Sequence, residues 1–286
     1  MIPSIQLREE EHLEKMIGFC AEAGYKEISI SFGSTEVIFN EDYKKIAERI
    51  LSMLDKNGLK CPQTHLPCYH LLVSSEVIED KMEKAIKNAI ILSSELGAKW
   101  AAYHPRTAVN DGFDRRKSFE DNKKFLEEYL EYSEKYGTGI AVENMPLFPL
   151  DRAEWRFFGS GYEDIIELCD NLKSDKIGIC WDFGHAHIAR IDQTYALRQI
   201  GNRLKATHVH DNYRNGDHHL LPAQGSIEWN CIDWKNLMPV MKEINYSGLM
   251  ALETITPDEC ILKSFINQGY DSISYLCRLA NERSNI

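Results

Sequence analysis

The sequence predicts a single (β/α)8 TIM barrel, and three observations carry that prediction. Strand-like apolar runs alternate with longer helical stretches eight times along the chain. No composition break or flexible linker divides the 286 residues, a length that barrels commonly reach as one unit, so residues 1–286 read as one domain. No G-x-G-x-x-G or G-x-x-x-x-G-K-[ST] stands at a strand-to-helix turn, where an open nucleotide-binding sheet would carry it.

The short apolar start, residues 2–7, serves as the first strand. In residues 9–23, Leu13, Met16, Ile17 and Cys20 recur three and four apart, as one helix face requires, and Gly24 closes the helix. Residues 27–32 alternate Ile28 and Ile30 with serines, which predicts a strand, and residues 43–54 are helical up to the Asn57-Gly58 turn. A strand at 60–65 and a helix at 78–96 follow, the helix stopped by Gly97. Next come a strand at 100–104 cut by Pro105, a helix at 118–136 ending at Gly137, and a strand at 139–144 stopped by Pro146. The aromatic stretch 147–161 reads as a loop, in which Trp155, Arg156, Phe157 and Phe158 form either a pocket wall or a contact between two copies of a homo-oligomer. The remaining units are helix 163–171, strand 176–182, helix 194–201, strand 204–211, helix 234–244, strand 249–254 and helix 259–279.

Composition narrows the partners. Forty-four acids against 33 bases give a net charge of -11, which offers no general attraction to phosphate backbones or anionic membranes, so nucleic acid is disfavoured. The eight cysteines are scattered, with no CxxC pair or regular framework, and fit a reducing cytoplasm. The N-terminus lacks a basic and then apolar leader, and nowhere do 18 apolar residues run together, so neither export nor a membrane span is expected.

Chemistry concentrates in residues 206–225, ATHVHDNYRNGDHHLLPAQG, which begins as a strand and ends in a Pro/Gly loop. Its His208, His210, His218, His219, Asp211, Asp217 and Arg214 need partners from other directions. AVEN with Glu143, CWDFGH with Asp182 and His185, and ALET with Glu253 supply them at similar strand ends. His65, His104, Glu143, Asp182, His208 and Glu253 fall at the C-terminal ends of strands three to eight, where barrels place their sites. One such residue alone is ordinarily a cap or a loop hydrogen-bonder. Several carboxylates converging on one mouth repel, and desolvating each costs several kcal/mol, so a bound cation is the economical compensation. Glu143, Asp182, His208 and Glu253 form an oxygen-rich set suited to Mn²⁺, Mg²⁺ or Co²⁺ that does not exclude Zn²⁺. His208 and His210 share pleat parity, so spacing does not choose between them.

At these residues the chain resembles the sugar phosphate isomerase/epimerase superfamily, the xylose-isomerase-like barrels that include ketose 3-epimerases, inosose dehydratases and apurinic-site endonucleases. The resemblance spans nearly the whole chain. It implies a divalent metal ion (Mn, Co, Mg or Zn) held by Glu143, Asp182, His208 and Glu253, with His208 preferred because it supplies the HxxD spacing to Asp211. It assigns substrate contacts to His185 and Arg214, although His185 reads equally as a partner orienting Asp182, and Arg214 as a solvated charge near Asp211 or Asp217. PAQGSIEW at 222–229 is similar to a P-G-x-G-x-I-x-W loop of the family, with Ala223 in place of Gly.

The activity so implied is isomerisation or epimerisation of a small-molecule sugar or sugar phosphate through a metal-stabilised enediolate, with Glu143 and Glu253 as base and acid. The endonuclease branch implies an alternative, zinc-dependent phosphodiester hydrolysis, because His65, His104, His185, Asp217 and His219 fill its additional ligand positions. Against it stand the acidic charge and Arg106, where that branch has Gly. A non-catalytic barrel that binds metal and sugar is the third reading.

Overall fold

The computed structural model describes residues 1–8, 12–32, 43–68, 72–73, 80–108, 112–149, 154–255 and 258–281. Eight parallel strands close into a barrel: β1 (Ile2–Arg8), β2 (Glu27–Ser31), β3 (Lys60–His65), β4 (Trp100–Tyr103), β5 (Gly139–Glu143), β6 (Ile177–Asp182), β7 (Leu204–Val209) and β8 (Leu249–Leu252). Each strand pairs with its sequence neighbours, and β1 closes on β8 with Ile2 opposite Leu249 and Ile5 opposite Leu252. The helices are α1 (Leu13–Ala23), α2 (Tyr43–Asn57), α3 (Asp80–Glu95), α4 (Arg115–Tyr136), α5 (Tyr162–Leu172), α6 (Phe183–Ile188), α7 (Gln193–Ile200), α8 (Trp234–Glu243) and α9 (Leu262–Leu279).

The predicted alternation is therefore present, with shifts at element ends that have local causes. Helix α4 begins at Arg115, a turn earlier than the periodicity indicates, because the Asp114 carboxylate accepts from Lys117 N at 2.9 Å. The aromatic stretch contains an antiparallel hairpin, Leu147–Pro149 with Glu154–Arg156. Within it the Trp155 side chain lies outside the described residues, whereas Phe157 and Phe158 are buried in the chain's own packing. The helix start expected at residues 9–11 and residues 78–79 of the expected third helix also lie outside the described residues.

Two cores result from the period-two alternation of strand side chains. The outward set, including Ile28, Ile30, Ile140, Val142, Ile179, Trp181 and Met250, packs against the helices in one large apolar shell. The inward set is small: Ala102, Ala141, Cys180 and Ala206 form their own cluster, with Trp100 packed against it. Trp100 fits because Gly139 lies beside it; a Cβ there would come within 2.4 Å of the indole. Two residues further along the same strands stand His104, Glu143, Asp182 and His208, so the small residues form a floor directly beneath the mouth. All eight cysteines are free thiols, and among the described residues no helix is long and apolar enough to cross a membrane.

Candidate metal centre and active site

The mouth gathers residues from six strands. Glu143, Asp182 and His208 are fully buried, and register places Asp182 opposite His208 on β6 and β7 and Glu143 opposite Cys180 on β5 and β6. His208 Nδ1 lies 3.1 Å from Glu143 Oε2, 3.4 Å from Glu253 Oε2 and 3.9 Å from Asp182 Oδ2. The four residues of the expected ligand set thus meet around one imidazole nitrogen. Gln6 donates to Glu253 Oε1 at 2.7 Å, and the Ser29 hydroxyl donates to Gln6 Oε1 at 3.2 Å, so β1 and β2 turn the other Glu253 oxygen inward.

Two wings flank this centre. On one side His65 and His104 bring their Nε2 atoms to 3.3 and 3.1 Å from Glu143 Oε2 and 3.1 Å from each other. On the other, His185 Nδ1 is 3.4 Å from Glu143 Oε1, His185 Nε2 is 3.4 Å from Asp217 Oδ2, and His219 Nε2 is 3.1 Å from the same oxygen. His210, on the same face as His208, places Nε2 3.1 Å from Asp182 Oδ1. Parity therefore sends both histidines of THVH into the mouth.

Backbone carbonyls orient several of these rings. His65 Nδ1 contacts Leu66 O at 2.6 Å, His185 Nδ1 contacts Asn144 O at 2.9 Å, and His219 Nδ1 contacts Glu253 O at 3.0 Å. A carbonyl only accepts, so each Nδ1 carries the proton and each Nε2 faces the cluster. Asn144 serves twice more, accepting from Asp182 N at 2.7 Å and donating to Asp182 O at 2.9 Å, which fixes the β6 exit. That exit leads directly into α6, a six-residue helix whose first turn is capped by the Asp182 carboxylate accepting from His185 N at 2.6 Å. Gly184 in α6 leaves room for His210: a Cβ would fall 1.9 Å from its ring.

Not every residue of the 206–225 segment joins the cluster. Asp211 accepts from Asn212 N, Ile232 N and the Trp234 indole at 2.9 to 3.0 Å, which anchors the loop. Arg214 is exposed, in a left-handed backbone conformation with φ +66°, and its Nε reaches His187 O at 3.4 Å. Arg106 turns away from the mouth into the helix layer, where it pairs with Glu83, donates to the Tyr129 hydroxyl and lies over the Phe125 ring. Sequence reasoning passed over Gln6, Asn144 and Cys68, and left His210 out of the site despite its parity.

The electrostatics of the mouth set histidine protons against clustered carboxylates. Burial alone would strip the imidazoles of protons, but the surrounding anions prevail. His104 and His219 are pushed up to about 9, and His65, His185 and His208 well above the usual histidine range. Burial would equally raise the carboxyls; instead His208 and His104 hold Glu143 well below its ordinary range, His185 and His210 lower Asp182, and His185 and His219 lower Asp217. Protons on the histidines thus neutralise the clustered acids. Even so, both Glu143 oxygens, Asp182 Oδ2 and both nitrogens of His208 and His210 are buried without a well-directed hydrogen bond. Once the imidazoles give up those protons, their lone pairs and the ionised oxygens beside them are a fit for a divalent cation. Several triads in this cluster have donor atoms within 4.8 Å of one another, among them His65, His208 and Glu253.

Comparison with known proteins bears on the fold. A family described as the xylose isomerase-like TIM barrel matches residues 17–272. The uncharacterized protein MJ1311 of Methanocaldococcus jannaschii is 31% identical over 171 residues, covering 59% of this chain and 54% of that protein. A D-psicose 3-epimerase of Enterocloster bolteae is 26% identical over 121 residues, 42% of this chain and 37% of that one. This chain spans about half the length, or less, of these curated relatives. Among solved structures, a D-tagatose 3-epimerase-like protein superimposes with a TM-score of 0.79 at 21% identity, covering 99% of both chains. On a family match that runs through all eight strands but the first, and on the closed barrel itself, the chain belongs to the xylose isomerase-like TIM barrels.

Proposed function

We propose that this chain is a divalent-metal-dependent isomerase or epimerase acting on a sugar or sugar phosphate, by proton transfer at a carbon next to a carbonyl. The observation that carries the reading is the pair of carboxylates that meet at His208, Glu143 and Glu253, whose oxygens stand 3.1 and 3.4 Å from its Nδ1, the first side chain fully buried and the second partly exposed. Similarity to D-psicose 3-epimerase supports the same reaction class.

When bound, a divalent ion would supply Lewis acidity that makes the adjacent C–H more acidic, with Glu143, Asp182, His208 and Glu253 holding it. The chain's own residues handle the protons. Glu253, partly open to the mouth and steadied by Gln6, takes the proton from one face of the carbon, and Glu143, buried and ionised, passes to the other face a proton drawn from protonated His104, whose Nε2 stands 3.1 Å from its Oε2. One C–H bond breaks and one forms, with no net redox change. His185 donates toward developing negative charge on the substrate oxygens. The Ala102, Ala141, Cys180 and Ala206 floor excludes water from below.

The test is deuterium exchange in D₂O with ketoses, their phosphates and inososes, in the presence of Mn²⁺, Co²⁺, Mg²⁺ or Zn²⁺. Deuterium is expected at a carbon next to the carbonyl, and Glu253→Gln, which keeps an oxygen donor but removes the base, should abolish it. Absence of exchange with every sugar and every metal refutes the reading.

A second reading, zinc-dependent phosphodiester hydrolysis, is favoured by one observation: His65, His104, Glu143, Asp182, His185, His208, Asp217, His219 and Glu253 form one continuous run of contacts. Cleavage of an abasic-site duplex by zinc-loaded protein would support it, and a failure to cleave would remove it.

A further inference from the structure

The end of the barrel opposite the mouth carries a different chemistry. Lysine stands at or beside the start of five strands: Lys26 before β2, Lys60 in β3, Lys99 before β4, Lys176 before β6 and Lys205 in β7. Strand starts in a closed parallel sheet gather on one face, so a chain of net charge -11 presents ammonium groups at its base. Some of the cations there are engaged: Lys176 donates to Gly137 O at 2.7 Å, and Arg203 pairs with Asp170 at 2.7 Å. The side chains of Lys60, Lys99 and Lys205 make no hydrogen bond or ion pair among the described residues. They line, with Glu27 and Asp55, a cavity of about 850 Å³ beneath Trp100.

The floor of this cavity depends on three local departures from regular strand structure. Gly139 in β5 and Gly178 in β6 stand between Trp100 on β4 and Lys205 on β7. A Cβ on Gly139 would come within 2.4 Å of the indole, and one on Gly178 within 2.2 Å of the Lys205 stem. Glycine weakens a strand and marks a close approach. Here the two glycines let an aromatic ring and an ammonium group lean toward each other over bare backbone, with Lys205 Nζ 5.6 Å from the Trp100 ring centroid. Lys205 is also the extra residue of a bulge, since Leu204 pairs with Ile179 and Ala206 with Cys180. Bulges re-aim a side chain, and this one turns Lys205 across the base. A lysine serving only solubility needs none of these devices.

We propose that the cavity at the base of the barrel binds a flat-ringed organic anion of nucleotide size. The ring lies against Trp100, the anionic group is met by Lys60, Lys99 and Lys205, and Glu27 and Asp55 accept from hydroxyl or amino groups of the same molecule. The volume is in the range of small-molecule sites. Because Trp100 packs on the small residues beneath the mouth, this ligand and the metal centre occupy opposite sides of one floor. The inference requires neither the sugar reaction nor cation binding.

The probe is adenosine monophosphate, titrated calorimetrically into the purified full-length chain without metal, with adenosine and inorganic phosphate as its two halves. One equivalent per chain is expected to bind, and each half about tenfold or more weakly than the whole. Lys205→Glu, and independently Lys99→Glu on the exposed rim, should each weaken binding about tenfold or more. Circular dichroism confirms that both variants are folded. Arg8→Glu is the same charge reversal at the exposed end of β1, on the mouth side, and should change the affinity by less than about twofold. No saturable binding of adenosine monophosphate overturns the proposal, as does binding that survives both lysine reversals. A loss as large in Arg8→Glu as in Lys205→Glu also overturns it, since the anion would then be responding to net charge or sitting in the mouth. Inorganic phosphate binding as tightly as the nucleotide overturns the assignment of a ringed ligand to Trp100.

Discussion

Metal affinity should rise steeply with pH, because in this mouth a cation and protons compete for the same lone pairs. His208 is the one imidazole of the set around Glu143, Asp182 and Glu253, and it is held protonated well above the usual range. It must lose that proton before its nitrogen can act as a ligand. Glu143 and Asp182 are already ionised, being held below their usual range by the neighbouring histidines, and release nothing. One displaced proton makes affinity rise about tenfold per pH unit, or about 100-fold between about pH 6 and about pH 8. An ion that also engages His65 and His104, the latter pushed up to about 9, steepens the slope toward three protons in that window. The measurement is competition with a chromophoric chelator at several pH values, corrected for the chelator's own protonation, with calorimetry in two buffers of different ionisation heat to count the protons released. Affinity independent of pH, with no proton release, would refute the argument, since it would mean that the imidazoles are not ligands.

Other expectations test the scaffold of the site. Gly184→Ala should displace His210, whose ring lies 1.9 Å from the added Cβ, destabilising the fold by about 1–3 kcal/mol and weakening metal binding, as read by denaturant titration and the same chelator assay. Asp211→Asn removes a carboxylate that accepts from two backbone amides and the Trp234 indole; it should cost about 1–3 kcal/mol, with the loss measured as a lower denaturation midpoint. In the metal-free chain the raised values of His104 and His219 favour the folded state fully below about pH 6.5, and that contribution is lost as pH rises through about 9. Melting temperature should therefore fall across this window without metal and hold steady with it.

The barrel was legible because its signals are local. Period-two runs, helix periodicity and Gly or Pro stops each lie within a few residues, and they locate every barrel strand to within two residues at its end. The convergence of Glu143, Asp182, His208 and Glu253 was legible too, because strand ends in a closed parallel sheet must meet at one mouth. What stayed hidden depends on distance in the chain. Gln6 reaches Glu253 across 247 positions, and Asn144 is indistinguishable in sequence from any residue after a strand until its amide meets the Asp182 backbone. Helix α6 is too short to show periodicity, and its cap is itself a site residue. Arg106 stands beside a site histidine in sequence, yet its partners Glu83, Phe125 and Tyr129 lie on helices that face away.

The packing of Trp100 against Ala102, Ala141, Cys180 and Ala206 makes the barrel a vessel stoppered at its base. Everything that reaches the buried carboxylates must then pass the same rim, and whatever leaves must use it as well. On the reading proposed above, entry becomes ordered: a cation that settles among Glu143, Asp182 and His208 would arrive before a sugar that lies over it, and displaced protons would depart past Glu253, the carboxylate of the set that solvent reaches. For the reaction proposed, a single doorway would make the sequence of arrivals part of the cycle itself.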